Sequence, residues 1–163
     1  MKLLGLLLII LCFSLAGIGM AMELRRKVQL LETAFILVQS IRRELLLTHA
    51  SSQRVIEQLM HKQRNTIFAD CLQWCREQAF PEAWQHAIEH SFESLKAEYR
   101  SPILAVGTIL GSGDLRHQEE ALLQCEEQLR EIITTEKEAE RTRGKLCSSL
   151  GFLSGLMAAV ILL

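Results

Sequence analysis

The chain has 163 residues, with 18 Lys and Arg against 19 Asp and Glu and a sequence pI near 6.5. This near-neutral balance, with no concentrated basic stripe, argues against a protein that tracks a phosphate backbone, so nucleic acid is not an expected partner. The balance is also an average over two unlike materials: residues 3–22 and 146–163 carry no charge, and every charged residue except Lys2 lies between them.

At about 1.5 Å per residue, a helix over residues 3–22 reaches roughly 30 Å, the thickness of a bilayer's hydrocarbon core. An N-terminal transmembrane helix is therefore expected within residues 1–22. Residues 146–163 reach about 27 Å and form the expected C-terminal transmembrane helix, with the preceding helix able to supply extra length. A cleaved signal peptide competes at the N-terminus, because Lys2 supplies a minimal basic start and Gly19-Met20-Ala21 a small-residue cleavage site. That would leave a secreted helical protein. Against it, the apolar run is long, and Arg25, Arg26 and Lys27 follow where they would resist translocation. A lipoprotein reading of Cys12 is weaker, since Leu11 stands where a small residue is wanted.

Orientation follows from the flanking cations. Arg25, Arg26, Lys27 and Arg42 follow the first span, while Arg130, Lys137, Arg141, Arg143 and Lys145 precede the second. Both sets put residues 23–145 on the cytoplasmic side. Five cysteines, an odd number with one in each apolar end, fit a reducing compartment better than a disulfide framework.

The middle segment has two prolines and no sustained apolar alternation, so it reads as an all-α, compact bundle of about six helices. The first helix is expected to continue to Leu47 with Leu24, Val28, Leu31, Phe35, Val38, Ile41 and Leu45 as its stripe. Ser51 or Ser52 can cap a second helix carrying Val55, Ile56, Leu59 and Met60. Asn65 or Thr66 can cap a third carrying Ile67, Phe68, Cys71, Leu72 and Cys75. Pro81 opens a fourth, with Trp84 as the core aromatic beside Ala87, Ile88, Phe92 and Leu95. A fifth, Pro102 to Leu110, is almost wholly apolar and is expected to be the most buried. Gly111-Ser112-Gly113 ends it, and Asp114 caps a last helix with Leu115, Leu122, Cys125, Leu129 and Ile132 at three-four spacing. That helix is expected to pass through Gly144 into the second span, with a bend there.

Cys71-x3-Cys75 and His86-x3-His90 invite a tetrahedral zinc site. The cysteines share the apolar stripe of their helix, however, while the histidines lie opposite the stripe of theirs, so neither a metal nor another cofactor is expected. A membrane-bound metal or redox protein stays as an alternative reading. Gly107-x3-Gly111-x-Gly113 lacks the Lys-Ser or Lys-Thr and the preceding strand of a phosphate loop, and reads as a helix stop. Asp114, His117 and Glu120 read as first-turn polar residues, not as an acid/base cluster. Gly151-x3-Gly155, with Gly17-x3-Ala21 on the first span, offers small faces for close packing of membrane helices, within one molecule or with a partner, including a second copy.

Several stretches together resemble the stage III sporulation protein AB family of endospore-forming bacteria. The most specific is Lys145-Leu146-Cys147-Ser148-Ser149-Leu150-Gly151-Phe152-Leu153-Ser154-Gly155-Leu156. It is joined by Leu110-Gly111-Ser112-Gly113-Asp114 with Gln118, by Ala83-Trp84 with Ala87-Ile88, and by Lys2-Leu3-Leu4-Gly5. The chain departs from the family pattern at Ala50-Ser51-Ser52, where a Pro-Leu pair is common, and at Gly113, where Ser often precedes the Asp. The resemblance implies a non-enzymatic part of the channel-like apparatus linking mother cell and forespore, in the mother-cell-derived membrane. The helical domain is also similar to the cytoplasmic domains of the type II secretion inner-membrane platform protein. By that likeness it would dock a cytoplasmic secretion-type ATPase and connect it to other membrane subunits of the same apparatus.

Overall fold

The structure is a computed structural model. It describes the backbone of residues 2–48, 51–63, 66–111 and 114–161; the side chains of residues 2–10, 13, 14, 111, 148, 151, 152, 155 and 158–161 fall outside the description. The described residues form six α-helices and no strand: α1 (Lys2–Thr48), α2 (Ser52–Gln63), α3 (Thr66–Trp74), α4 (Phe80–Ser91), α5 (Ala97–Gly111) and α6 (Leu115–Ile161). Among the described residues no helix is long and apolar enough to cross a membrane; residues 2–10 enter as backbone alone. The chain divides into two compact units, a central one of Leu30–Ile132 and a terminal one of Met1–Gln29 with Ile133–Leu163.

In the central unit, successive helices pack on one another, α2 on α3, α3 on α4 and α4 on α5. Its core is the set that the 3.6-residue period points to: Leu31, Val38, Ile41 and Leu45 of α1, Val55, Ile56 and Leu59 of α2, Ile67, Phe68 and Cys71 of α3, and Trp84, Ala87 and Ile88 of α4, all buried. Phe35 and Leu72 are only half-buried. The guanidinium of Arg130 lies 5.6 Å from the centroid of the Phe35 ring, so that ring serves as a cation's platform as well as apolar filling.

The helix starts differ from expectation in instructive ways. Ser51 caps α2 through its backbone, its carbonyl accepting from Val55 N at 3.0 Å, while the Ser52 hydroxyl is directed elsewhere. Asn65 lies outside the described residues. α4 begins at Phe80, one residue before Pro81; Ala79 N, at the N-cap position, donates to Glu82 Oε2 at 3.3 Å.

α5 starts at Ala97, so Pro102 lies inside it instead of opening it. The proline withholds one N–H from the carbonyl of Glu98, four residues back, a group near the exposed start of the helix where water can replace the missing donor. Nor is α5 buried all round. Pro102, Ile103, Val106, Gly107 and Leu110 are buried, whereas Leu104, Ala105 and Ile109 are half-buried and Thr108 is exposed. Leu115 is exposed too; the buried face of α6 begins at Gln118 and continues through Leu122, Cys125, Glu126 and Leu129.

Two carboxylates are buried in the central unit, and each is neutralised by a cation on another helix. Glu44 accepts from Lys62 Nζ at 2.7 and 2.8 Å through its two oxygens. Glu126 accepts from Arg42 Nε at 2.5 Å and Nη2 at 3.3 Å, a two-pronged contact that fits the guanidinium's planar fork. That hydrogen bond is the main reason the Arg42 guanidinium sits above its usual pKa.

In the terminal unit, α1 and α6 are joined by Arg25 with Glu140 at 3.2 Å and Lys27 with Glu136 at 2.8 Å. The helix of α6 continues through Gly144, where a methyl group would meet the Cβ of Ala21 at an ordinary 3.9 Å. Small side chains thus bring the two helices close at this level.

Candidate functional site

Three elements meet at the carbonyl of Leu110. The last carbonyls of a helix have no helical donor, so α5 must find one elsewhere. Leu110 O accepts from Ser52 Oγ, at the start of α2, at 2.5 Å and from Gln118 Nε2, in the first turns of α6, at 3.2 Å. Asp114 holds the α6 start in place: its Oδ1 accepts from Arg116 N at 3.2 Å and its carbonyl from Gln118 N at 2.9 Å. Leu110, Asp114 and Gln118 are therefore brought together. Gly111 is the last residue of α5, and its surroundings, like Ser112 and Gly113, are outside the described residues.

Either donor alone can satisfy the Leu110 carbonyl. Ser52→Ala and Gln118→Leu are each expected to cost about 0.5–1.5 kcal/mol, and the double variant more than the sum, because only then does the helix end lose both donors. Thermal unfolding of the four proteins checks the excess.

Trp84 joins α4 to α5. It is fully buried, its indole Nε1 donates to Ile103 O at 2.8 Å, and Phe80 stacks on it at a centroid distance of 6.3 Å. Gly107 faces the same ring. A Cβ built there would lie 2.8 Å from Trp84 Cδ1 and 3.2 Å from its Cβ and Cγ, so the indole occupies the space a side chain would need. Gly107 works by absence of bulk in a buried helix contact, which the helix-stop reading of the glycine series missed.

On α3 and α4 the cysteines and histidines separate as their helical phases dictate. Cys71 is buried and Cys75 half-buried, while His86 and His90 are exposed. His86 stacks on Trp74 at 5.0 Å between centroids, and His90 Nδ1 lies 3.9 Å from Asp70 Oδ2. Among the described residues no three of His, Cys, Asp and Glu are grouped closely enough to hold a metal ion. All five cysteines are free. Burial pushes the thiols of Cys71 and Cys125 upward in pKa, with the neighbouring Cys75 and Glu126 adding to the respective effects. A raised pKa means less thiolate at any given pH. In the folded protein both thiols should therefore stay unmodified by a disulfide reagent at mildly alkaline pH and become reactive in denaturant; mass spectrometry of the modified peptides reads the difference.

The small residues assigned to membrane packing lie in the terminal unit. Gly17 is buried and Ala21 half-buried, and Ala21 is the residue that faces Gly144 across the two helices. Gly151 and Gly155 are on α6, with surroundings outside the described residues. Around the Ala21–Gly144 contact, apolar side chains are exposed: Leu15, Ile18 and Met22 on α1, and Leu146, Leu150 and Leu153 on α6.

Sequence reasoning missed Ser52 as a donor to α5, Gly107 as a packing residue, and the buried pairs of Glu44 and Glu126. Only Gly107 carried a signal, a glycine within an otherwise apolar helix run.

No curated protein and no solved structure matches the chain. The family model for stage III sporulation protein AB matches residues 2–163, which takes in both charge-free ends, the Leu110–Gln118 junction and Trp84. The chain belongs to the stage III sporulation protein AB family, and its role falls in the third stage of sporulation.

Proposed function

We propose that the chain is a non-enzymatic membrane component of the secretion-like apparatus between mother cell and forespore, where its helical middle docks a secretion-type ATPase to neighbouring membrane subunits. The observation that carries the membrane part is the exposure of large apolar side chains in the terminal unit. Leu11, Leu15, Ile18, Met20 and Met22 of α1, and Leu146, Leu150, Leu153, Leu156 and Met157 of α6, all face outward. They fall within segments that carry no charge. In water such a surface is a liability; in hydrocarbon it is the expected one. Residues 1–22 and 146–163 are then two anchors in the mother-cell-derived membrane, and the cations next to them keep the middle in the cytoplasm.

The adaptor part rests on family membership and on the character of the central unit, whose polar groups serve its own architecture. Glu44, Glu126, Gln118 and Ser52 all bond within it. What the unit offers a partner is its surface. Photoreactive residues placed along Gln118–Arg130 and His86–Glu93 in sporulating cells are expected to capture the ATPase or an adjoining membrane subunit from at least one helix. Capture of neither from any position overturns the docking assignment.

A further inference from the structure

In the terminal unit, α1 and α6 leave a cleft of about 380 Å³ between them, within the size range of small-ligand sites. Its apolar floor is low where Ala21 and Gly144 come together, and the exposed side chains of Ile18 and Met22 flank it. Its rim is charged: Arg25 from α1, and Glu140, Arg141 and Lys145 from α6. Three cations thus stand against one carboxylate. Arg25 spends part of its charge on Glu140 at 3.2 Å yet keeps 74% of its side chain exposed. Among the described residues neither Arg141 nor Lys145 has a carboxylate within ion-pair distance. The two are four residues apart on α6, so they share one face.

We propose that this cleft binds the headgroup of an anionic phospholipid, its phosphate between Arg141 and Lys145 and its glycerol end over the apolar floor. The assignment rests on the membrane reading above, and depth is what links the two. Met22 and Leu146 are the residues where the uncharged segments begin, and Arg25 and Lys145 stand within one helical turn of them. The cleft therefore sits at headgroup level, with Arg25 and Arg141 toward the water, Ile18 toward the hydrocarbon and Lys145 at the boundary between them. A soluble anion would use the rim and leave the floor wet, whereas a phospholipid matches both. Basic pockets between membrane helices on the cytoplasmic side are suited to this ligand class.

The test uses the purified full chain in lipid nanodiscs of phosphatidylcholine alone, or of phosphatidylcholine and phosphatidylglycerol at three to one, with native mass spectrometry of the retained lipid. The chain should enter both discs and retain phosphatidylglycerol with roughly tenfold enrichment over its share of the mixture. R141Q/K145Q should lower that enrichment to near unity, and R26Q/R143Q, which removes two cations that do not line the cleft, should leave most of it. Equal retention of the two lipids by the unaltered chain, or equal loss in both double variants, would overturn the site while leaving the membrane reading intact. Inorganic phosphate that stabilises the chain against heat in neutral discs as much as phosphatidylglycerol does would overturn the lipid assignment in favour of a soluble anion. Failure of the chain to enter either disc would overturn the site together with the membrane reading.

Discussion

Trp84→Ala is expected to lower the stability of the helical middle by about 3–5 kcal/mol, the usual cost of deleting a fully buried large aromatic. Trp84 is 0% exposed and bonds across to α5 through Ile103 O, so truncation opens a cavity and removes the link between two helices together. Trp84→Phe keeps most of the ring volume and should cost considerably less, with loss of the indole donor contributing about 1 kcal/mol. The matching change on α5 is Gly107→Val. Its Cβ alone would come within 2.8 Å of the indole, and overpacking of this kind costs about 1–3 kcal/mol. In a Trp84→Ala background that cost should largely disappear, because Cδ1 and Cγ are gone and only the Cβ at 3.2 Å remains. Denaturant unfolding of the set, read as a double-variant cycle, checks both statements.

The second large effect is expected at Arg42. Glu126 is almost wholly enclosed, with 6% of its side chain exposed, and Arg42 supplies its charge-assisted hydrogen bonds. Arg42→Met leaves a buried carboxylate without its partner. The cost should sit near the lower end of the ~3–5 kcal/mol seen when a buried pair is broken, because 26% of the Arg42 side chain still reaches water. Replacing both members, as Arg42→Met with Glu126→Leu, removes the charge and its desolvation penalty together. It should recover most of that loss or exceed the starting stability. Thermal unfolding of the two single variants and the double variant measures the recovery; a double variant no more stable than Arg42→Met would mean that the loss comes from the missing pair itself and not from an orphaned buried carboxylate.

Both expectations concern residues whose importance was unequally visible in the sequence. Trp84 stood out because helical periodicity carries the phase of a buried stripe, and Ala87 and Ile88 repeat on its side. The same periodicity anticipated most of the core of α1 to α4, since side chains on one helix face must share an environment. Glu44 and Glu126 were invisible for the opposite reason: a charged residue reads as solvent-facing, and their partners lie 18 and 84 residues away.

The junction at Leu110 was half legible. Asp114 announced a helix start by its residue type. Ser52 looked equally like a cap, yet its hydroxyl serves the end of α5, a choice set by tertiary proximity. Leu115 shows the limit of stripe reading, because a residue in the first turn of a helix can continue the spacing and still be left partly in solvent. Pro102 shows another, since its position inside α5 depends on whether the carbonyl it leaves unpaired can be hydrated. The charge-free ends were plain from composition alone, whereas the cleft at Arg25, Arg141 and Lys145 required knowing which turns of α1 and α6 face each other.

The most direct test of the central claim is alkaline carbonate extraction of membranes from sporulating cells, followed by intact-mass analysis of the chain. The account predicts that the protein stays in the pellet with its N-terminal segment attached. Release into the supernatant, or a mature chain beginning just after Ala21, would contradict it.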